Sequence, residues 1–188
     1  MDRPNIVLVG MMGSGKSSLG KILAERLHWR FIDTDDEIER SAGRSIHEIF
    51  SEDGEPAFRH LEADVIARVS KLKNVIIATG GGAVLDPRNV STLRHNGRVF
   101  YLSASPEKLV ARLMRNPEEV AKRPLLQGED PEGRLREILV AREGHYRSAA
   151  HTIVTEDSVG AKARRVLSEF SQPKQSRHPA EPRPRPVV

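Results

Sequence analysis

Gly10-Met11-Met12-Gly13-Ser14-Gly15-Lys16-Ser17 follows directly on the apolar run Ile6-Val7-Leu8-Val9. It leads into Leu19, Ile22, Leu23 and Leu27, apolar residues that recur at helical spacing. A buried strand, a glycine loop and a helix therefore come in the order that a phosphate-binding P-loop requires. The glycines are needed because backbone N–H groups must curl around phosphate oxygens, in conformations and at distances that a side chain would block. Lys16 is then placed to reach the outer phosphates as a point charge and the Ser17 hydroxyl to ligate Mg2+, while the helix N-terminus faces the anion.

Working outward, Phe31-Ile32 reads as a short strand ending in Asp33-Thr34-Asp35-Asp36. Carboxylates at the end of a strand beside a P-loop strand lie where open α/β sheets take ligands. They also suit a helix start, where the dipole favours negative charge, and Asp36 is left in that role. A helix over 37–42 is stopped by Gly43, and Ser45-Ile46-His47-Glu48 is a capping-box pattern that opens a second short helix running to Gly54. Pro56 falls in the first turn of a longer helix, with Phe58, Leu61, Val65, Ile66, Val69 and Leu72 as its buried stripe. On that helix Arg59 and Glu62 are three apart and share a face, so they can act on one ligand or form a plain surface ion pair.

Asn74-Val75-Ile76-Ile77-Ala78 is an unbroken apolar strand, as in a parallel sheet covered on both faces. It ends in Thr79-Gly80-Gly81-Gly82, a run that is either a flexible turn or a place where something approaches the backbone closely. Asp86-Pro87 opens a further helix closed by Gly97, Arg98–Leu102 is the next strand, and Ser105-Pro106 caps a helix carrying Leu109, Leu113 and Met114. From Asn116 to Gly128 the periodicity fails in a polar segment of a length that is more often functional than idle, and it reads as a mobile lid. Asp130-Pro131 then starts a helix with Leu135, Ile138 and Leu139, followed by Arg142 and Tyr146. Thr152-Ile153-Val154 is the last strand, and Ala163, Val166, Leu167 and Phe170 stripe the final helix. Five strands alternating with helices specify a three-layer α/β/α fold on a parallel sheet.

At 188 residues one folded domain is the default, here 1–171. The absence of cysteine removes disulfides and thiolate metal sites. The apolar run near the N-terminus is too short for a signal peptide or membrane span, so a cytoplasmic protein with no membrane partner is expected. The net charge of +4 does not argue for nucleic acid, since Lys174, Arg177, Arg183 and Arg185 against Glu181 place +3 of it in the proline-rich stretch 172–188. Such a composition cannot bury apolar surface and is expected to stay disordered. The seven histidines lack metal-ligand spacing and read as surface or packing residues, and Trp29 beside Phe31 reads as packing.

Taken together, the chain resembles shikimate kinase, a small family of the nucleoside-monophosphate-kinase-like P-loop fold. The resemblance rests on the P-loop, on Phe31-Ile32-Asp33-Thr34-Asp35, on Gly54-Glu55-Pro56-Ala57-Phe58-Arg59, and on Ala78-Thr79-Gly80-Gly81-Gly82-Ala83-Val84. It continues through Arg123-Pro124-Leu125-Leu126 and Arg142 with Tyr146, in the family's order over about 170 residues. It implies transfer of the γ-phosphoryl group of Mg-ATP to the 3-hydroxyl of shikimate, on the route to chorismate and the aromatic amino acids. By the same resemblance ATP is held by Gly13, Ser14, Gly15, Lys16, Ser17, Ser18 and Arg123. Mg2+ is bound by Ser17 and, through water, by Asp33. Asp35 orients or deprotonates the attacking hydroxyl, and Lys16 and Arg123 stabilise the transferring phosphate. Arg59 and Arg142 clamp the substrate carboxylate, with Gly80, Gly81, Gly82 and Glu62 as further contacts. A monomer is implied, and no adenine-contacting residue is assigned.

Two other readings compete. A gluconate kinase or nucleoside monophosphate kinase of the same fold is disfavoured by Asp35, Arg59, the triple glycine and Arg142 together, a set suited to a small polyhydroxylated carboxylate. A regulatory nucleotide-binding module without catalysis is disfavoured by intact Lys16, Ser17, Asp33, Asp35 and Arg123.

Overall fold

The computed structural model describes residues 4–113, 115 and 130–172. The lid expected over 116–128, Arg123 within it, and the stretch from 173 onward lie outside the described residues. Strand β1 (Asn5–Val9) is buried along its whole length and runs through the loop into α1 (Lys16–Leu27). The chain continues through β2 (Arg30–Asp33), α2 (Thr34–Ala42), α3 (Ile46–Glu52), α4 (Gly54–Val69) and β3 (Val75–Ala78). A 3-10 turn over Ala83–Leu85 precedes α5 (Pro87–Asn96), β4 (Gly97–Leu102) and α6 (Pro106–Leu113). Then come α7 (Pro131–Ala149), β5 (Thr152–Val154) and α8 (Val159–Ser171).

All five strands are parallel, in the order β2-β3-β1-β4-β5. Val7 is in register with Ile77 on one side and with Val99 on the other. The strand order reverses at β1, and ligands of open α/β sheets bind in the crevice that such a reversal leaves at the C-terminal ends of the strands. Side chains alternate across the sheet. Ile6, Leu8, Ile76, Phe100 and Leu102 pack with Leu19 and Leu23 of α1 and with Ala163 and Val166 of α8. Val7, Val9, Ile77, Val99 and Tyr101 join the opposite core with Ile38, Phe58, Val65, Ile66, Leu135 and Tyr146. Two apolar layers enclosing one sheet give the three-layer architecture expected from the alternation of elements.

Several helix starts follow their sequence signals. Ser45 and Glu48 make the reciprocal capping box, Asp86 caps α5, and Ser158 caps α8. Trp29 packs edge-on against Phe170 with ring centroids 5.7 Å apart, a packing role as expected. Two boundaries differ from the periodicity. Helix α2 begins at Thr34 rather than 37, because the Asp33 carboxylate accepts from Asp35 N and caps it. Leu72 does not extend the buried stripe of α4, since the helix ends at Val69 and Leu72 is exposed.

Candidate active site

The loop from Gly10 to Gly15 is shaped by three left-handed glycines, Gly10 at φ 144°, Gly13 at 77° and Gly15 at 91°. Met11 and Met12 anchor it in the core beneath. Where α2, α3, α5 and α8 start with a side-chain cap, α1 starts on Gly15 with none. Its first amide groups therefore have no side-chain cap of their own, a feature α4 shares, and here the glycine loop curled before the helix makes that start suited to an anion. Lys16 folds back over the loop, donating through Nζ to Gly10 O at 2.9 Å and to Met11 O at 3.1 Å. The Ser17 hydroxyl donates to Asp33 Oδ2 at 2.8 Å. That pair sets two hard oxygen donors side by side at the mouth of the loop, a donor chemistry that fits Mg2+ sharing its ligation with a nucleotide.

From this loop a cleft of about 900 Å3 opens along the C-terminal ends of the strands, lined among others by Lys16, Ser17, Asp35, Arg59, Gly81 and Arg142. Gly13, Gly15, Ser18, Asp33, Glu62, Gly80 and Gly82 also line it, while Ser14 is buried. The fold thus brings to one cleft every described residue expected at the site, with Ser14 supporting the loop from below.

The far half of the cleft is built around the triple glycine. A Cβ on Gly80 would stand 2.7 Å from Asp35 Oδ1 and 2.9 Å from Glu62 Oε1, and one on Gly82 would run into the Arg59 guanidinium. The close approach inferred from the glycines is real, and its partners are the protein's own charged side chains. Arg59 donates to Glu62 Oε2 at 2.7 Å and to Glu55 Oε1 at 2.9 Å, with its guanidinium over the Phe58 ring. Glu62 is 1% exposed, so this is a buried pair facing the cleft and not a surface one. Burial pushes the Glu62 carboxyl up against the opposing pull of Arg59 and, more weakly, of Arg142. Arg142, from α7, is 9% exposed, and its Nη1 would lie 3.8 Å from a Cβ on Gly81. Two guanidinium groups therefore flank the glycine backbone, a geometry that suits a planar carboxylate.

Three supports were not readable in advance. Thr34 Oγ1 accepts from Gly80 N at 3.0 Å. The Tyr146 hydroxyl donates to Gly81 O at 2.6 Å, and its ring stacks on Tyr101 at 5.1 Å. Burial pushes the Tyr146 hydroxyl up to about 12, so it stays a donor at any ordinary pH. Lys162, from α8, reaches the back of the phosphate loop and donates to Ser14 O at 2.8 Å.

The "Shikimate kinase" family model matches residues 12–172. A shikimate kinase of Caldanaerobacter subterraneus is 47% identical over 167 residues, 88% of this chain and 95% of the relative. One of Symbiobacterium thermophilum is 49% identical over 153 residues, 81% of this chain and 87% of the relative. The solved shikimate kinase of Acinetobacter baumannii in complex with shikimate is 39% identical with a TM-score of 0.81, covering 89% of this chain and 91% of that one.

Proposed function

This chain belongs to the shikimate kinase family, and from that premise we propose that it phosphorylates the 3-hydroxyl of shikimate with ATP, giving shikimate 3-phosphate and ADP. The observation that carries the reading is the meeting of a phosphate loop with Asp35, Arg59 and Arg142 around one glycine backbone in a single cleft. ATP fits the half bounded by Gly13, Gly15, Lys16, Ser17 and Ser18, whose amides and ammonium suit a polyphosphate. Shikimate fits the other half, its carboxylate between Arg59 and Arg142 and its hydroxyls toward Asp35 and the Gly80–Gly82 backbone.

In the reaction, the 3-hydroxyl oxygen forms a bond to Pγ as the bond from Pγ to the β-bridging oxygen breaks, and ADP leaves with that oxygen. Asp35 holds the hydroxyl in line and takes its proton. Lys16 withdraws from the Gly10 and Met11 carbonyls to meet the phosphates. Such transfers depend on alignment and charge stabilisation more than on covalent help. Ser17, supported by Asp33, would hold Mg2+, which would supply neutralisation of phosphate charge. Arg123 lies outside the described residues, and its assignment to the transferring phosphate rests on the family motif Arg123-Pro124-Leu125-Leu126. Glu62 keeps Arg59 extended toward the carboxylate.

The test is ADP release from Mg-ATP with shikimate, gluconate or AMP as acceptor. Turnover with shikimate alone is expected. Turnover with gluconate or AMP instead would retain the phosphate site and discard the acceptor assignment, and binding of ATP and shikimate without turnover would leave a regulatory module.

A further inference from the structure

Two cations from different helices grip carbonyls of the phosphate loop, Lys162 from behind and Arg112 from the border of the cleft. Lys162 of α8 is 3% exposed, and its Nζ donates to Ser14 O at 2.8 Å. Arg112 of α6 donates through Nη1 to Gly13 O at 3.4 Å. The carbonyl of Gly13 and the amide of Ser14 belong to one peptide group, and the carbonyl of Ser14 and the amide of Gly15 to the next. Loops of this kind turn their amides toward phosphate and their carbonyls away. A donor fixed on each carbonyl therefore sets the plane of the peptide before any nucleotide arrives. It also draws electron density from the carbonyl, which makes the amide on the inner side a stronger donor.

The surroundings show that this contact is built. Arg112 donates also to Asp157 O at 3.4 Å, and Lys108 pairs with the Asp157 carboxylate. The segment after β5, which had no assigned role in the sequence, thereby ties α6 to the start of α8 around the loop. Lys162 shares the buried face of α8 with Ala163 and Val166. An apolar residue would serve packing there without the cost of burying an ammonium. That burial, together with the neighbouring Arg112, pulls the Lys162 pKa down, with Asp157 and Glu156 opposing.

We propose that Lys162, assisted by Arg112, is a positioning residue for the nucleotide: it holds the Gly13–Gly15 peptides with their amides toward the phosphates and so sets ATP affinity without touching the acceptor half. The inference rests on the phosphotransfer reading for the identity of the anion, and is independent of the acceptor.

Lys162→Met keeps the aliphatic stem and removes the ammonium. Calorimetric titration of Mg-ATP and, separately, of shikimate into the wild-type protein and the variant reads the two halves apart, with a thermal melt to establish folding. The Mg-ATP dissociation constant is expected to rise on the order of tenfold, as for one charge-assisted hydrogen bond, with shikimate affinity held within about twofold. An unchanged Mg-ATP affinity in the folded variant overturns the proposal, as does a parallel loss at both sites, which would mark a general structural role. Should Lys162→Met not fold, Arg112→Met, at a residue that also borders the cleft, is titrated with Mg-ATP and with Mg-tripolyphosphate: a loss shared by both ligands supports the proposal, while an unchanged affinity, or a loss for Mg-ATP alone that marks a direct contact to the nucleoside, overturns it. Wild-type protein that binds Mg-ATP yet phosphorylates no shikimate would remove the functional reading and leave this inference standing.

Discussion

A Cβ on Gly80 would stand 2.7 Å from Asp35 Oδ1. The backbone at the end of β3 and the carboxylate in the first turn of α2 meet at a separation that only glycine permits. Gly80→Ala must therefore push Asp35 or Glu62 aside. With Asp35 in the proposed role of holding the acceptor hydroxyl, a displacement of that size is expected to cost roughly 100-fold in kcat/KM for shikimate. Steady-state kinetics with each substrate varied in turn checks this: the loss is expected for shikimate, while KM for ATP stays close to wild type.

The Ser17–Asp33 contact yields a prediction about Mg2+. Ser17→Ala removes the hydroxyl oxygen, and Asp33→Asn removes the charge behind it while still capping α2. Each is expected to raise the Mg2+ concentration for half-maximal rate on the order of tenfold, the scale on which supporting ligands act. Melting temperatures should stay near wild type, because the cap survives in Asp33→Asn. A Mg2+ titration of ADP release reads the effect.

Tyr146→Phe deletes the donor to Gly81 O and leaves a buried carbonyl unsatisfied. The expected cost is about 1–3 kcal/mol of stability by urea unfolding. KM for shikimate should rise as Gly81 loosens, with kcat less affected, because the Tyr146 hydroxyl makes its short bond to Gly81 O at 2.6 Å and only a weak one to Met11 Sδ of the phosphate loop at 3.6 Å.

Glu62 gives a pH dependence whose sign is fixed by burial. Its folded pKa is raised above the ordinary 4.5, so ionising it costs the folded state. The stability linked to its protonated form is full below pH 4.5 and is lost as pH rises through the raised value. Glu62→Gln cannot ionise and escapes that loss. The variant should therefore gain in melting temperature relative to wild type as pH rises from 4 toward neutrality, then hold a constant difference. The same change removes the buried one of the two charged partners of Arg59, leaving Glu55, and should weaken shikimate binding, a stability gain set against function.

How much of this was legible in the sequence depends on the range of the interaction. The phosphate loop, the Ser45–Glu48 capping box and the Asp86 cap are local, each written within a few residues, and the structure has them where the sequence puts them. Helix α2 was misplaced by three residues because Asp33 serves two masters, capping the helix through Oδ1 and meeting Ser17 through Oδ2. The triple glycine announced a close approach but not its partners, since Asp35, Arg59 and Glu62 arrive from other elements. The Tyr146–Gly81 bond spans 65 residues and the Lys162–Ser14 bond 148. No periodicity records such pairings. Lys162 did leave one trace, lying beside Ala163 and four residues before Val166 on the apolar face of its helix, where a cation needs a partner.

The account rests most heavily on transfer of phosphate to one hydroxyl of one acceptor under the control of Asp35. The most direct measurement is phosphorus and carbon NMR of the product formed from Mg-ATP and shikimate by the wild-type protein, run beside Asp35→Asn. Phosphate on the 3-hydroxyl, with formation slowed by at least about 100-fold in the variant, is the predicted result. Phosphate on another hydroxyl, release of inorganic phosphate alone, or an Asp35→Asn variant as fast as wild type would contradict the account.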